Sequence, residues 1–150
     1  MEEFIKPITD ALLLKSGSST SLAIEKVFPD GRLIGGKYNT DSHTVTIYIE
    51  VIKKQCLQIF QSLEYFPDYL KAVLAHEIGH AEDGDLPMLA DKLEDPNLTE
   101  QGRKQIALQI EENAWHYAVK LIPEIDQGFL QTIIYYSLKE YKDDLLMPGA

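Results

Sequence analysis

Cysteine is almost absent from this chain. Cys56 stands alone among 150 residues, so no disulfide can form within the chain, as suits a reducing compartment. A lone cysteine with apolar neighbours reads as a small buried hydrophobe in a helix rather than as a nucleophile. Long apolar runs are missing as well. The longest, such as residues 11–14 and 133–136, fall far short of the roughly 20 residues that span a bilayer. The acidic start Met1-Glu2-Glu3 is the reverse of a basic secretory leader, and a soluble, cytoplasmic protein is expected. Clusters of Lys and Arg are also lacking, and a formal net charge of −10 opposes binding to nucleic acid or to an anionic membrane. Glycine and proline are sparse and scattered, with no repeat and no low-complexity stretch, which excludes a linker or a solenoid. With 45% apolar residues the chain can bury one core and is too short for two. A single domain is expected over residues 1–150, folded throughout except at 147–150.

Turn residues divide the chain into elements. Residues 8–14 and 21–27 are expected as short helices, closed by Ser16-Gly17-Ser18-Ser19 and Pro29-Asp30-Gly31. Residues 32–38 and 44–50 flank Asn39-Thr40-Asp41-Ser42, which predicts a β-hairpin. In its second arm Val45, Ile47 and Ile49 alternate with polar residues, so one face is core. Helical periodicity then predicts helices over 52–63 and 68–83, the latter entered through Phe66-Pro67-Asp68 and stopped at Gly84. Residues 85–98, broken by Pro87 and Pro96, are expected as a loop, and helices over 99–121 and 126–143 complete the chain. The class is α+β, a mainly helical domain with a small antiparallel hairpin packed on the helix 68–83.

That helix carries His76-Glu77-Ile78-Gly79-His80, a match to H-E-x-x-H in the helical setting the motif requires. Residues four apart on a helix have Cβ atoms roughly 5–6 Å apart on one face, so both imidazoles can converge on one ion. Zn–N distances of about 2.0–2.1 Å suit them. Glu77 is rotated about 100° from His76, beside the metal rather than on it. A carboxylate there can take a proton from water whose pKa the ion has lowered from about 15.7 to about 7. His76 and His80 share a face with Tyr69, Ala72 and Val73, and two histidines aimed at a core need partners that a shared metal provides.

A catalytic zinc needs a third protein ligand and an open fourth position. Glu111 falls within the apolar stripe Ile106, Ala107, Ile110, Ala114, Trp115, Ala118, Leu121 and Ile122, where an ionised carboxylate is costly unless a cation or metal meets it. An ion pair with Lys or Arg is the alternative. Asp83, seven residues after His76, and Asp85, beyond the Gly84 stop, compete as third ligand. The Gly and His that extend the metzincin motif are replaced by Asp83 and Leu86, which disfavours that branch. His116 points away from the stripe and reads as a surface residue. Tyr48, Tyr69, Tyr117 and Tyr135 are candidate stabilisers of a transition state.

The hairpin strand, the helix segment Ala75-His76-Glu77-Ile78-Gly79-His80 and the later Glu111-x-x-Ala114-x-x-Tyr117-Ala118 together resemble minimal zincins, most of all the ImmA/IrrE-type metallopeptidases. Trp115 stands where that family has Asn. Over about residues 35–123 the resemblance implies a minimal zincin fold, Glu111 as third zinc ligand, Glu77 as general base, and a protein or peptide substrate such as a regulatory repressor. Leu74-Ala75-His76-Glu77 also resembles the HD-type metal-dependent phosphohydrolases, although these carry His-Asp and no hairpin. A third possibility is a metal-binding zincin-like module that binds a regulatory partner without cutting it. Histidine and carboxylate ligands also accept manganese, iron or cobalt.

Overall fold

Between Phe66 and Ala81 the side chains are apolar or small around nearly the whole helical circumference, and a helix of that kind must be central. In the computed structural model, which describes residues 3–147, Phe66, Tyr69, Leu70, Ala72, Leu74, Ala75 and Ile78 are all buried. Their helix is α3 in the order α1 (Ile5–Ser16), β1 (Ser21–Glu25), β2 (Gly36–Asn39), β3 (Thr44–Tyr48), α2 (Ile49–Phe60), α3 (Phe66–Ala81), α4 (Leu86–Leu93), α5 (Glu100–Leu121) and α6 (Gln127–Leu146). Helices α1, α2, α5 and α6 and strands β2 and β3 all pack on α3. The core joins Val45 and Ile47 of β3, Ile52 and Cys56 of α2, Trp115 and Ala118 of α5, and Leu130 and Ile133 of α6. The mainly helical α+β class is as expected, and residues 148–150, expected as a loose end, lie outside the described residues. No helix among the described residues is long and apolar enough to cross a membrane.

The sheet corrects one expectation. Residues 21–27, rich in helix formers, were expected as a helix, yet Ser21–Glu25 is a strand, parallel to β3 in the register Ser21↔Thr44 to Glu25↔Tyr48. A segment of seven residues is too short to hold a helix by itself, and pairing satisfies both its own backbone and the open side of β3. Ser21 N–H donates to His43 O at 3.0 Å and Glu50 N–H to Lys26 O at 2.9 Å, closing the pairing at both ends. The sheet is therefore mixed, in the order β1-β3-β2, with the expected antiparallel hairpin as its β2–β3 half. Of the expected first arm, 32–38, only residues 36–38 are strand, β2 running on to Asn39, and the second arm passes into α2 at Ile49. Asn39 Oδ1 holds the turn by accepting from the backbone N–H groups of Asp41 and Ser42.

Residues 85–98, expected as a loop, contain α4. Pro87 lies in its first turn, where a helix needs no N–H from it, so this proline starts a helix instead of breaking one.

The crossing of α3 and α5 is set by a glycine. A Cβ at Gly79 would stand 2.5 Å from Ala114 O and 3.0 Å from Ala114 Cα. Backbone cannot retreat from such a clash as a flexible side chain can. Gly79→Ala is expected to destabilise the fold by about 1–3 kcal/mol or more, read from urea unfolding. An unchanged midpoint would contradict the crossing.

Candidate metal centre

The same crossing brings three ligating side chains together. His76 and His80 lie three residues before and one after Gly79 on α3, and Glu111 lies three before Ala114 on α5, so the closest point of the two helices is also where imidazoles and carboxylate face each other. His76 Nε2 is 3.1 Å from Glu111 Oε1, and His80 Nε2 is 3.1 Å from Glu111 Oε2. One ligating atom from each of the three lies within 4.8 Å of the others. Around a tetrahedral zinc with bonds of about 2.0–2.2 Å, neighbouring ligand atoms stand roughly 3.3–3.6 Å apart. The trio sits close to that spacing, and its donor chemistry suits a divalent ion.

The expected competitors fall elsewhere. α3 ends at Ala81, so Asp83 leaves the helix face of His76, accepting instead from the Asp85 backbone N–H and from Asn113 Nδ2 at 3.2 Å. Asp85 is the residue before α4. Neither joins the ligating group, which among the described residues is the trio alone. The expected alternative of a Lys or Arg partner for Glu111 is replaced by the two histidines. His116 is exposed, as expected. Cys56 is fully buried and donates its thiol to Ser62 O, with burial pushing the thiol pKa up, in keeping with a structural role.

Glu77 occupies a second position. Its Oε2 lies 3.0 Å from His76 Nδ1, and Oε1 has no hydrogen-bond partner among the described residues. Both ring nitrogens of His76 thus face carboxylates. An ionised carboxylate only accepts, so without a metal the ring carries two protons. Burial works against that charge, but Glu77 and the hydrogen bonds to Glu111 and Glu77 outweigh it and lift His76 to about 9. Burial likewise favours a neutral Glu111, and the bonds from His76 and His80 reverse this, holding its carboxyl well below the usual carboxylate range. His76 would hold a cation through Nε2 in place of one proton, leaving Nδ1–H on Glu77 to orient the ring.

Two neighbours position this group. Trp115 lies against the His76 ring, with centroids 4.4 Å apart and planes at 30°, and its Nε1–H donates to Ser137 Oγ on α6 at 3.0 Å. Gly36 of β2 faces Glu77 so closely that a Cβ there would stand 2.7 Å from Glu77 Cγ. β2 is an edge strand. Because Tyr48 N–H donates to Gly35 O, residues 35, 37 and 39 direct their backbone groups to β3 in the antiparallel alternation. The N–H and C=O of Gly36 and Tyr38 then point to the free edge, beside Glu77.

A cleft of about 890 Å³ runs over this ground, within the size range of ligand sites. Leu33, Ile34, Gly35, Gly36 and Tyr38, on β2 and the segment leading into it, form one wall, His76, Glu77, His80 and Glu111 the floor, and Ile133, Tyr136, Ser137, Glu140 and Tyr141 of α6 the other wall. Of the tyrosines singled out in the sequence only Tyr69 borders the cleft. Tyr48 is buried beneath Phe28, and Tyr135 is 60% exposed outside it. Tyr141 was missed, since only the pairing of α5 with α6 brings it near Glu111. Against known protein families, curated proteins and solved structures, the chain matches none.

Trp115 is the single tryptophan, so its emission reports on His76. Zinc titrated into metal-free protein is expected to change that emission and to saturate at one equivalent, with no change in His76→Ala. An unresponsive wild type would contradict a metal at His76.

Proposed function

We propose that the protein is a zinc-dependent metallopeptidase that hydrolyses peptide bonds in a protein substrate. The observation that carries this reading is the convergence of His76, His80 and Glu111 in one cleft with Glu77 and an unpaired strand edge. His76, His80 and Glu111 would hold the zinc, which supplies a Lewis acid for the scissile carbonyl and lowers the pKa of the attacking water. Glu77, through its uncommitted Oε1, accepts a proton from that water as the oxygen bonds to the carbonyl carbon. It then delivers the proton to the amide nitrogen as the C–N bond breaks, so that acid and amine leave with one water consumed. The peptide lies as an added strand on β2, hydrogen-bonded to the free backbone groups of Gly36 and Tyr38.

The lining of the cleft disfavours the phosphohydrolase alternative. Its charged side chains other than histidine are Glu77, Glu111 and Glu140, with no Lys or Arg, and acids repel a phosphate ester. The ImmA/IrrE-type resemblance, which rests on the residues of the two motifs, extends the reading to a regulatory protein as substrate, and the single cysteine suits the cytoplasm as its compartment. A metal-stabilised module without catalysis would need neither a free carboxylate oxygen on Glu77 nor an open cleft above it.

Glu77→Gln keeps the shape and an oxygen that accepts from His76 Nδ1–H yet removes the base. Hydrolysis of a peptide or repressor is expected to fall by about 10²–10⁴-fold with zinc content unchanged. A variant as active as the wild type would end this mechanism.

A further inference from the structure

Attack on a peptide carbonyl places negative charge on its oxygen, and donors aimed at that oxygen are among the largest contributions an enzyme makes to rate. Four tyrosines line the cleft, Tyr38, Tyr69, Tyr136 and Tyr141, and of these Tyr136 is 53% exposed and packs edge-on to Tyr135. No Lys or Arg lines the cleft. Tyr38 shares its hydroxyl with His43 Nδ1 at 2.8 Å. Tyr69 packs edge-on to Phe60 and Phe129, about two helical turns before His76. The hydroxyl of Tyr141, a half-buried residue, has no hydrogen-bond partner among the described residues.

Helix pairing fixes where Tyr141 stands. α5 and α6 are joined by the short connection 122–126 and tied by the bond from Trp115 to Ser137. Two helices joined in that way run antiparallel, so a step back along one matches a step forward along the other. Glu111 is one turn before Trp115, and Tyr141 is one turn after Ser137, so Tyr141 faces the carboxylate of the ligating trio. The charges of Glu111, Glu140 and Glu77 all reach its hydroxyl, and a phenol is a donor at neutral pH. Tyr48, which the charge of Glu77 also reaches, is outside the cleft lining.

We propose that Tyr141 is a catalytic residue, donating a hydrogen bond to the oxyanion that forms at the scissile carbonyl. The inference rests on the peptidase reading above. It differs from a supporting role, in which Tyr141 would only steady Glu111.

The test uses the full zinc-loaded chain and two apolar tripeptide probes. One is a phosphonamidate, with a negative oxygen on tetrahedral phosphorus at the scissile position, and the other is the matching ketomethylene, planar and uncleavable there. Wild type is expected to prefer the phosphonamidate. Tyr141→Phe is expected to lose about 100-fold in phosphonamidate affinity while keeping ketomethylene affinity, zinc content and thermal midpoint, and Tyr135→Phe to match wild type. Undiminished phosphonamidate binding in Tyr141→Phe overturns the proposal. Loss of zinc from that variant also overturns it, making Tyr141 a support for Glu111. A zinc-loaded wild type with no preference between the probes overturns the peptidase reading itself, and this inference with it.

Discussion

The close approach of α3 and α5 at Gly79 and Ala114 is the constraint on which the rest of the structure depends. With no side chain at 79, the backbone of α5 comes near enough for its carbonyl oxygen to fill the place a Cβ would take. One helical turn from that point a glutamate reaches two imidazoles at 3.1 Å each. A wider crossing would leave Glu111 short of both histidines. The packing of the core and the geometry of the candidate metal centre are therefore one feature, because the contact that closes the core also sets the ligand spacing.

Buried ionisable groups gather at the same place. The described core is apolar apart from Thr9, Thr20, His76 and Glu77, and the two ionisable groups among these lie at the cleft floor beside Glu111. Two carboxylates and two imidazoles satisfy one another there, which offsets the cost of removing them from water. The site is fastened from two further sides. Trp115 stacks on His76 and reaches Ser137 of α6, and Gly36 lets the edge of β2 come against Glu77. A substrate strand on that edge would meet the carboxylate that the proposed mechanism assigns as base.

Much of this was legible in the sequence because it depends on local spacing. The i, i+4 interval of His76 and His80 fixes a shared helical face, and Glu111 stood out as an acid within an apolar stripe. Strand β1 was not legible, since Ser-Leu-Ala-Ile-Glu suits a helix and became a strand only because β3 had an unpaired side. Helix α4 was hidden by Pro87, which breaks helix interiors but suits a first turn. The choice of Glu111 over Asp83 depended on where α3 ends, at Ala81 rather than beyond Asp83. Tyr141 and Gly36 carry no local signal at all. Their proximity to the site arises from the pairing of α5 with α6 and from the fit of an edge strand against α3, both of them long-range contacts.

Zinc content tests the central claim most directly. The purified chain and its Glu111→Ala variant are each dialysed against a slight excess of zinc, then against metal-free buffer, and assayed by elemental analysis. One zinc per wild-type chain, with little retained by the variant, is the result predicted for a site built across the α3–α5 crossing. Equal zinc in both proteins, or none in either, would contradict it.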